Sequence, residues 1–355
     1  MKCCELFRAE DIPVFQNKMF TSSSAALACP KGNVVLVQDT DTGLVFNAAF
    51  DAGLLTYGAD YQNEQACSGV FQRHLTNVKE IIDRYFAGKP VIEVGCGKGY
   101  FLEHLRNSGY QITGIDPAYE GDNPHIIKAP FEAGLGLSAG GIVLRHVLEH
   151  MKNPVEFLSA IAHANGGKGL IYIEVPCFDW ICHHRAWFDI FYEHVNYFRH
   201  ADFTHMFGVV HERGHLFGGQ YLYVVADLGT LRVPHFEARE IVSFPKDFLE
   251  GIRRVSSFSA DSKHKAIWGG ASKGMIFALY MKRVGVDIDV VIDINPAKQG
   301  RFLAGSGLRV CSPEEGLRML ESGDDVFVMN SNYLDEIIAL SNNQFNYLEV
   351  DHDEF

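Results

Sequence analysis

The segment Val91-Ile-Glu-Val-Gly95-Cys-Gly97-Lys-Gly99 constrains this chain more than any other. A strand-forming run passes straight into three alternate glycines, and Phe101–Leu105 then takes up helical periodicity. A strand that turns into a helix through glycines belongs to an α/β sheet. The glycines let the backbone approach a ligand, and the helix N-terminus attracts negative charge. Two acidic residues distinguish this loop from a pyrophosphate loop. Glu93, at the end of the strand, repels pyrophosphate but suits a cation or an amino group. Asp116 closes the next strand, Ile112–Ile115, about 20 residues on, where a carboxylate accepts both hydroxyls of a ribose.

The alternation continues on both sides of this loop. Gly141–Val147, Leu170–Val175 and Tyr221–Ala226 read as strands, and Val155–Ile161 as a helix opened by Asn153-Pro154. The 355 residues divide into a short β-rich head (1–52), a doubly wound α/β unit (53–230), a polar helical connector (231–262) and a second α/β unit (263–355). In the head, Val34–Val37 and Leu44–Phe46 are strands split by the turn Asp39-Thr40-Asp41-Thr42-Gly43. In the last unit, Ala266–Trp268 runs into Gly269-Gly-Ala-Ser-Lys-Gly274, followed by the strands Val290–Asp293 and Val326–Met329.

Composition excludes several partners. A net charge of −13 opposes binding to a phosphate backbone, so no nucleic acid is expected. No run approaches the roughly 20 apolar residues that span a bilayer, so no membrane is expected. Met1 to Glu10 lacks the apolar core of a secretory signal. The eight cysteines show neither a disulfide framework nor a Cys-x-x-Cys pair, which points to the cytoplasm and to no metal.

A nucleoside with a cationic, amino-acid-like tail satisfies both Glu93 and Asp116, and S-adenosylmethionine is such a molecule. With Gly95, Gly97 and Gly99 between them, these residues resemble motif I of the class I S-adenosylmethionine-dependent methyltransferases. Gly141–Met151 resembles that family's fourth-strand segment, which implies Arg145 and His146 beside the sulfonium and methionine parts. Glu149 and His150 read as the start of the next helix. Pro130 and Phe131 fall where the family walls the adenine. Tyr57 and Tyr61 resemble its lid, although two tyrosines at i and i+4 also suit an amphipathic helix.

Seven of the 16 histidines lie between His183 and His215. Cys177, Cys182, His183 and His184 form only a loose cluster for a metal. Phe188-Asp-Ile-Phe191-Tyr192-Glu193-His194-Val-Asn-Tyr197-Phe198 resembles the Tyr-His-Glu-His segment of the sugar C-methyltransferases. That resemblance implies His194 as the base that takes a proton from the carbon to be methylated. Glu193 and Tyr192 accompany it as catalytic-segment residues, Glu193 read as a contact either to the substrate or to the residues that touch it. Phe191 stands where the family has Tyr, and Tyr192 where it has the first His, so the stabilisation of an enolate oxygen is left open.

Gly269–Gly274 with Asp293 also fits a dinucleotide turn. Taken with Asp293-Ile-Asn-Pro-Ala-Lys298-Gln-Gly and Ser312-Pro-Glu-Glu, however, it resembles the C-terminal domain of the same group. This implies a domain that closes over the acceptor, with Lys273, Lys298 and Asn332 holding phosphate or sugar. The head resembles that group's zinc-knuckle domain with the second knuckle's cysteines replaced by Asp39 and Thr42. The expectation is a cofactor-dependent methyltransferase acting on a small molecule of the nucleotide-sugar kind. O- or N-methylation of a non-sugar acceptor, or a catalytically idle binding protein, are the alternatives.

Overall fold

The computed structural model describes residues 3–55, 67–236, 240–258 and 264–352. Among them three sheets form. The largest has seven strands in the order Val210–Leu216, Tyr221–Asp227, Leu170–Pro176, Gly141–Arg145, Val91–Val94, Ile112–Ile115 and Ile126–Ile127. The last five run parallel, and the first two join antiparallel. This is the Rossmann-like doubly wound sheet expected of class I methyltransferases. The strand order reverses between Val91–Val94 and Gly141–Arg145, and a ligand crevice opens at such a switch.

Both faces of that sheet are covered, which is why its inner strands are nearly continuous apolar runs. Ile92, Val94, Leu144 and Ile173 pack with Leu158 and Ile161 of the helix Pro154–Ala164. Val91, Val143 and Tyr172 face the helix Gly69–Phe86 through Phe71, Leu75, Val78 and Ile82. Ser68 caps that helix by accepting the N–H groups of Val70 and Phe71.

The C-terminal sheet is all parallel, in the order Val310–Cys311, Val290–Ile292, Lys265–Trp268, Asp325–Val328 and Asn346–Glu349. Its first glycine loop, after Lys265–Trp268, leads into the helix Lys273–Arg283. Within the connector, the structure shows the helix Glu250–Phe258, and irregular backbone precedes it. No helix of the described residues is long and apolar enough to cross a membrane.

The head does not close its own sheet. Cys3–Pro13, Lys31–Asp39 and Val45–Asn47 are joined by Asn196–Tyr197, which directly follows the segment containing His194. One core therefore unites Ile12, Val34 and Leu36 of the head with Trp187, Phe188 and Tyr197, and with Phe277 and Phe327 of the C-terminal unit. The turn where the second zinc knuckle would stand is closed by hydrogen bonds. Thr42 Oγ1 and the Asp41 N–H both donate to the Asp39 carboxylate, each at 2.9 Å.

Candidate active site

The two glycine loops face each other across a cavity of about 380 Å³. Gly95–Phe101 of the central unit forms one wall, and Trp268–Lys273 with Asp293–Asn295 of the C-terminal unit forms the other. Gln16 and Asn17 of the head and His150, Phe191 and His194 also line it.

The first loop owes its shape to its glycines. Gly95 and Gly99 take φ of +73° and +82°, and a Cβ on Gly95 would lie 2.3 Å from Val147 Cγ2. Gly97 has φ of +54° and donates its N–H to Asp116 Oδ2 at 2.8 Å. Asp116 also accepts the Ala118 N–H, and it is not on the cavity wall. In this conformation the carboxylate braces the loop rather than facing the cavity. Phe131 is packed into the core beside Ile115 and Leu144, and Pro130 is exposed, with neither on the wall. Tyr57 and Tyr61 lie outside the described residues.

Glu93 is buried on the cavity wall, and its Oε2 has no hydrogen-bond partner. Burial pushes its carboxyl up to about 8, with Arg145 opposing and Asp116 adding to the rise. The neighbouring Cys96 thiol is itself pushed up by burial and by both carboxylates, and stays neutral. Between the ordinary 4.5 and about 8, the folded protein therefore holds a proton that the unfolded chain has released. In that window, stability of the ligand-free protein falls as pH rises, by at most about 1.4 kcal/mol per unit. Glu93→Gln removes this dependence. Its melting-point gain over the parent should grow from near zero at about pH 5 to several degrees above about pH 8. The same variant should bind S-adenosylhomocysteine more weakly. A gain in melting point that does not vary with pH would show that Glu93 is ionised throughout.

Behind the wall, fully buried Glu174 gathers four donors: Tyr172 OH at 2.6 Å, His74 and His146 at 3.0 Å each, and Arg145 at 3.3 Å. Burial alone would raise Glu174, but Arg145, His74 and His146 outweigh it and hold the group well below the usual carboxylate range. His146 bridges Glu174 to Glu149, whose Oε1 lies 3.4 Å from its Nδ1. Burial lowers His146, yet the two carboxylates prevail and lift it to about 9. Its φ of +52° is strained for a residue with a Cβ, and this hydrogen-bonded network holds it there. Arg145 and His146 both line the cavity, and Arg145 lies 4.6 Å over the Phe101 ring.

His194 is buried, and Phe191 and His150 pack edge-on against its ring. Its Nδ1 has no partner, and the Gln16 side-chain amide lies 3.4 Å from its Nε2. Burial holds the ring neutral, reinforced by His150, His146 and Lys273. Glu193 turns the other way. Its Oε2 accepts the Gln16 N–H and its carbonyl accepts His150 Nδ1–H at 2.9 Å. Tyr192, expected with the catalytic group, points into the head. Its hydroxyl bonds the Asp51 backbone and its ring packs on Phe50, because the chain bends at Tyr192 and Glu193, so residues two apart do not share a face here as they would in an extended strand.

On the opposite wall, Lys273 Nζ donates to Gln220 Oε1 at 2.8 Å and pairs with Asp189 at 3.0 Å, while Lys298 pairs with Asp293 at 3.1 Å. Both lysines line the cavity, whereas Asn332 bonds the Phe217 carbonyl and Asn330 and does not. Sequence reasoning missed Gln16 and Asn17. The Ser272 N–H donates to the Gln16 carbonyl and the Ser272 hydroxyl to Asn17 Oδ1, so the head clamps the second loop. Nothing in a polar Gln-Asn pair near the N-terminus signals this, since the contact spans most of the chain.

Residues 66–210 match the model of a methyltransferase domain family, and residues 238–347 match that of the C-methyltransferase C-terminal domain. The chain is 24% identical over 303 residues to the C-methyltransferase NovU of Streptomyces niveus, covering 74% of this chain and 70% of that protein. It is 29% identical over 108 residues to a ubiquinone biosynthesis O-methyltransferase of Nitrosospira multiformis, covering 26% of this chain and 45% of the relative. A solved S-adenosylmethionine-dependent methyltransferase from Archaeoglobus fulgidus is similar at 19% identity and a TM-score of 0.33, over 45% of this chain and 100% of its own.

Proposed function

We propose, for a chain that belongs to the S-adenosylmethionine-dependent methyltransferases and carries their C-methyltransferase C-terminal domain, that the methyl group goes to a carbon beside a carbonyl. The acceptor in this reading is a small molecule of the nucleotide-linked ketosugar kind, held in the cavity between the two glycine loops. The relative's description as a C-methyltransferase supports the reaction class.

The residues present fit the cofactor. Glu93 offers an unpartnered carboxylate oxygen where an amino group can be received, and the left-handed glycines open the backbone beside it. When bound, the cofactor supplies a methyl group on a sulfonium. Lys273 and Lys298 place two ammonium groups on the acceptor's side, and an ammonium has three N–H donors to distribute.

The observation that carries the reading is His194: a neutral, buried imidazole on the cavity wall with an unpartnered ring nitrogen. Carbon next to a ketone is a nucleophile only after deprotonation, whereas a hydroxyl needs less help. His194 would take that proton, leaving the electron pair on carbon for the methyl group, whose bond to sulfur would break with its electrons staying on sulfur as a neutral thioether.

The test is the product. Incubation with cofactor carrying a ¹³C-methyl group and with nucleotide-linked ketosugars should give a labelled methyl resonance at the chemical shift of a methyl on carbon, well upfield of one on oxygen or nitrogen. A methyl resonance on oxygen or nitrogen would replace this reading with the O- or N-methyltransferase alternative.

A further inference from the structure

We propose that Glu149, His150 and His194 form a binding site for a transition-metal dication of the zinc class. We further infer that an ion held there silences proton removal by His194. The second half rests on the reading of His194 as the base; the site itself does not.

Among the described residues, these three alone form a group whose ligand atoms converge, all within 4.8 Å of one another. They come from two separate segments, the short turn Leu148–His150 and the string before the strand Asn196–Tyr197. Two of their polar atoms are orphaned. Glu149 Oε2 and His194 Nδ1 are buried without a hydrogen-bond partner, in residues only 1% and 6% exposed. Buried polar atoms are nearly always satisfied, so two orphans in one small cluster call for a ligand that both can meet. A carboxylate and an imidazole lone pair can meet a cation together.

The surroundings orient the group for that purpose. His150 Nδ1 donates to the Glu193 carbonyl, which can only accept, so the lone pair of His150 is on Nε2. Metal-bound imidazoles commonly spend their second nitrogen on a carbonyl in this way. The other Glu149 oxygen faces His146 Nδ1 at 3.4 Å. Two imidazole nitrogens and one carboxylate suit zinc, cobalt or nickel, whereas magnesium and calcium prefer oxygen alone. A tetrahedral ion with bonds of about 2.0–2.2 Å needs donors about 3.4 Å apart, so side-chain rotations of roughly an ångström would close the set. All three residues also line the cavity, which leaves the fourth position to water or an acceptor oxygen. An ion so held takes the lone pair His194 needs to receive a proton. No bond is broken and no oxidant is required.

The experiment uses the full chain, freed of metal by chelation and saturated with S-adenosylhomocysteine. Calorimetric titration with Zn²⁺ should show one saturable site per chain. Co²⁺ in its place should give the intense visible absorption of a four-coordinate ion. Glu149→Gln, which keeps the side chain's shape, should weaken binding by at least about tenfold and abolish that band. His150→Gln provides the same check if the first variant misfolds. With S-adenosylmethionine and acceptor, methyl transfer should fall in step with zinc occupancy and return on adding a chelator. Absence of a site, or binding that neither substitution weakens, overturns the metal site without touching the role of His194. A rate that rises with occupancy overturns the silencing and, with it, His194 as a free base.

Discussion

His194→Ala is expected to lower turnover by about 100- to 10,000-fold while leaving affinity for S-adenosylhomocysteine within a few-fold of the parent, the span that a positioned base contributes. The two effects separate because His194 makes no bond to the Gly95–Gly99 loop. Its side-chain neighbours are Gln16, His150, Phe191 and Tyr197. Removing a buried ring also leaves a void, so His194→Gln, which fills more of the space, serves as the structural control. A second readout excludes a merely structural role. In heavy water with S-adenosylhomocysteine bound, the parent should exchange the acceptor's α-hydrogen for deuterium, and both variants should not. Exchange or turnover at the parental rate in either folded variant would remove His194 as the base.

The second large effect is expected at the opposite wall. Gly274 is the second residue of the helix Lys273–Arg283, and a Cβ there would lie 1.9 Å from the Gly269 carbonyl oxygen. That neighbour is backbone, and Gly269 itself has φ of +119°, so the loop cannot yield by rotating a side chain. Gly274→Ala should therefore destabilise the protein by roughly 1–3 kcal/mol or more, lowering the melting point by several degrees. The same displacement moves Ser272, which adopts φ of +37° and is gripped by Gln16 and Asn17, and Lys273, which ties this loop to Asp189 and Gln220. KM for the acceptor should rise while S-adenosylhomocysteine affinity holds, because the cofactor loop belongs to the other unit. An unchanged melting point would show that the loop has a second packing open to it.

These two residues differ in how far the sequence announces them. Gly274 belongs to a strand–glycine–helix pattern that is local in the chain, and its role follows from neighbours a few residues away. His194 stands out only by resemblance, since a histidine in an aromatic run is as readily a core residue. Its partners are not local. His150 approaches it from the end of the fourth parallel segment and Gln16 from the head. Tyr192 shows the converse. It lies two residues from His194 in the chain, yet the backbone turns it toward Asp51.

The strands divide along the same line. Val34–Val37, Leu44–Phe46, Val91–Val94, Ile112–Ile115, Leu170–Val175, Val290–Asp293 and Val326–Met329 are legible as apolar runs, and all contribute to interior strands flanked on both sides. The strands that the pattern does not announce are Cys3–Pro13, Ile126–Ile127, Asn196–Tyr197, Val210–Leu216, Val310–Cys311 and Asn346–Glu349, and each ends a sheet. An edge strand has one neighbour and tolerates charge and short length, so pairing makes it a strand where composition does not.

By itself, then, the sequence determined the interior strands, the two glycine loops and the acidic residues beside the first, because burial on both faces and left-handed turns demand particular residues locally. Only the tertiary structure decided that the head borrows Asn196–Tyr197 to complete its sheet. It alone brought Gln16, Glu149, His150 and His194 to one wall, and set Asp116 to brace its loop. Those outcomes depend on which edges pair and which segments share a core, and such contacts form between residues too distant in the chain for local periodicity to record.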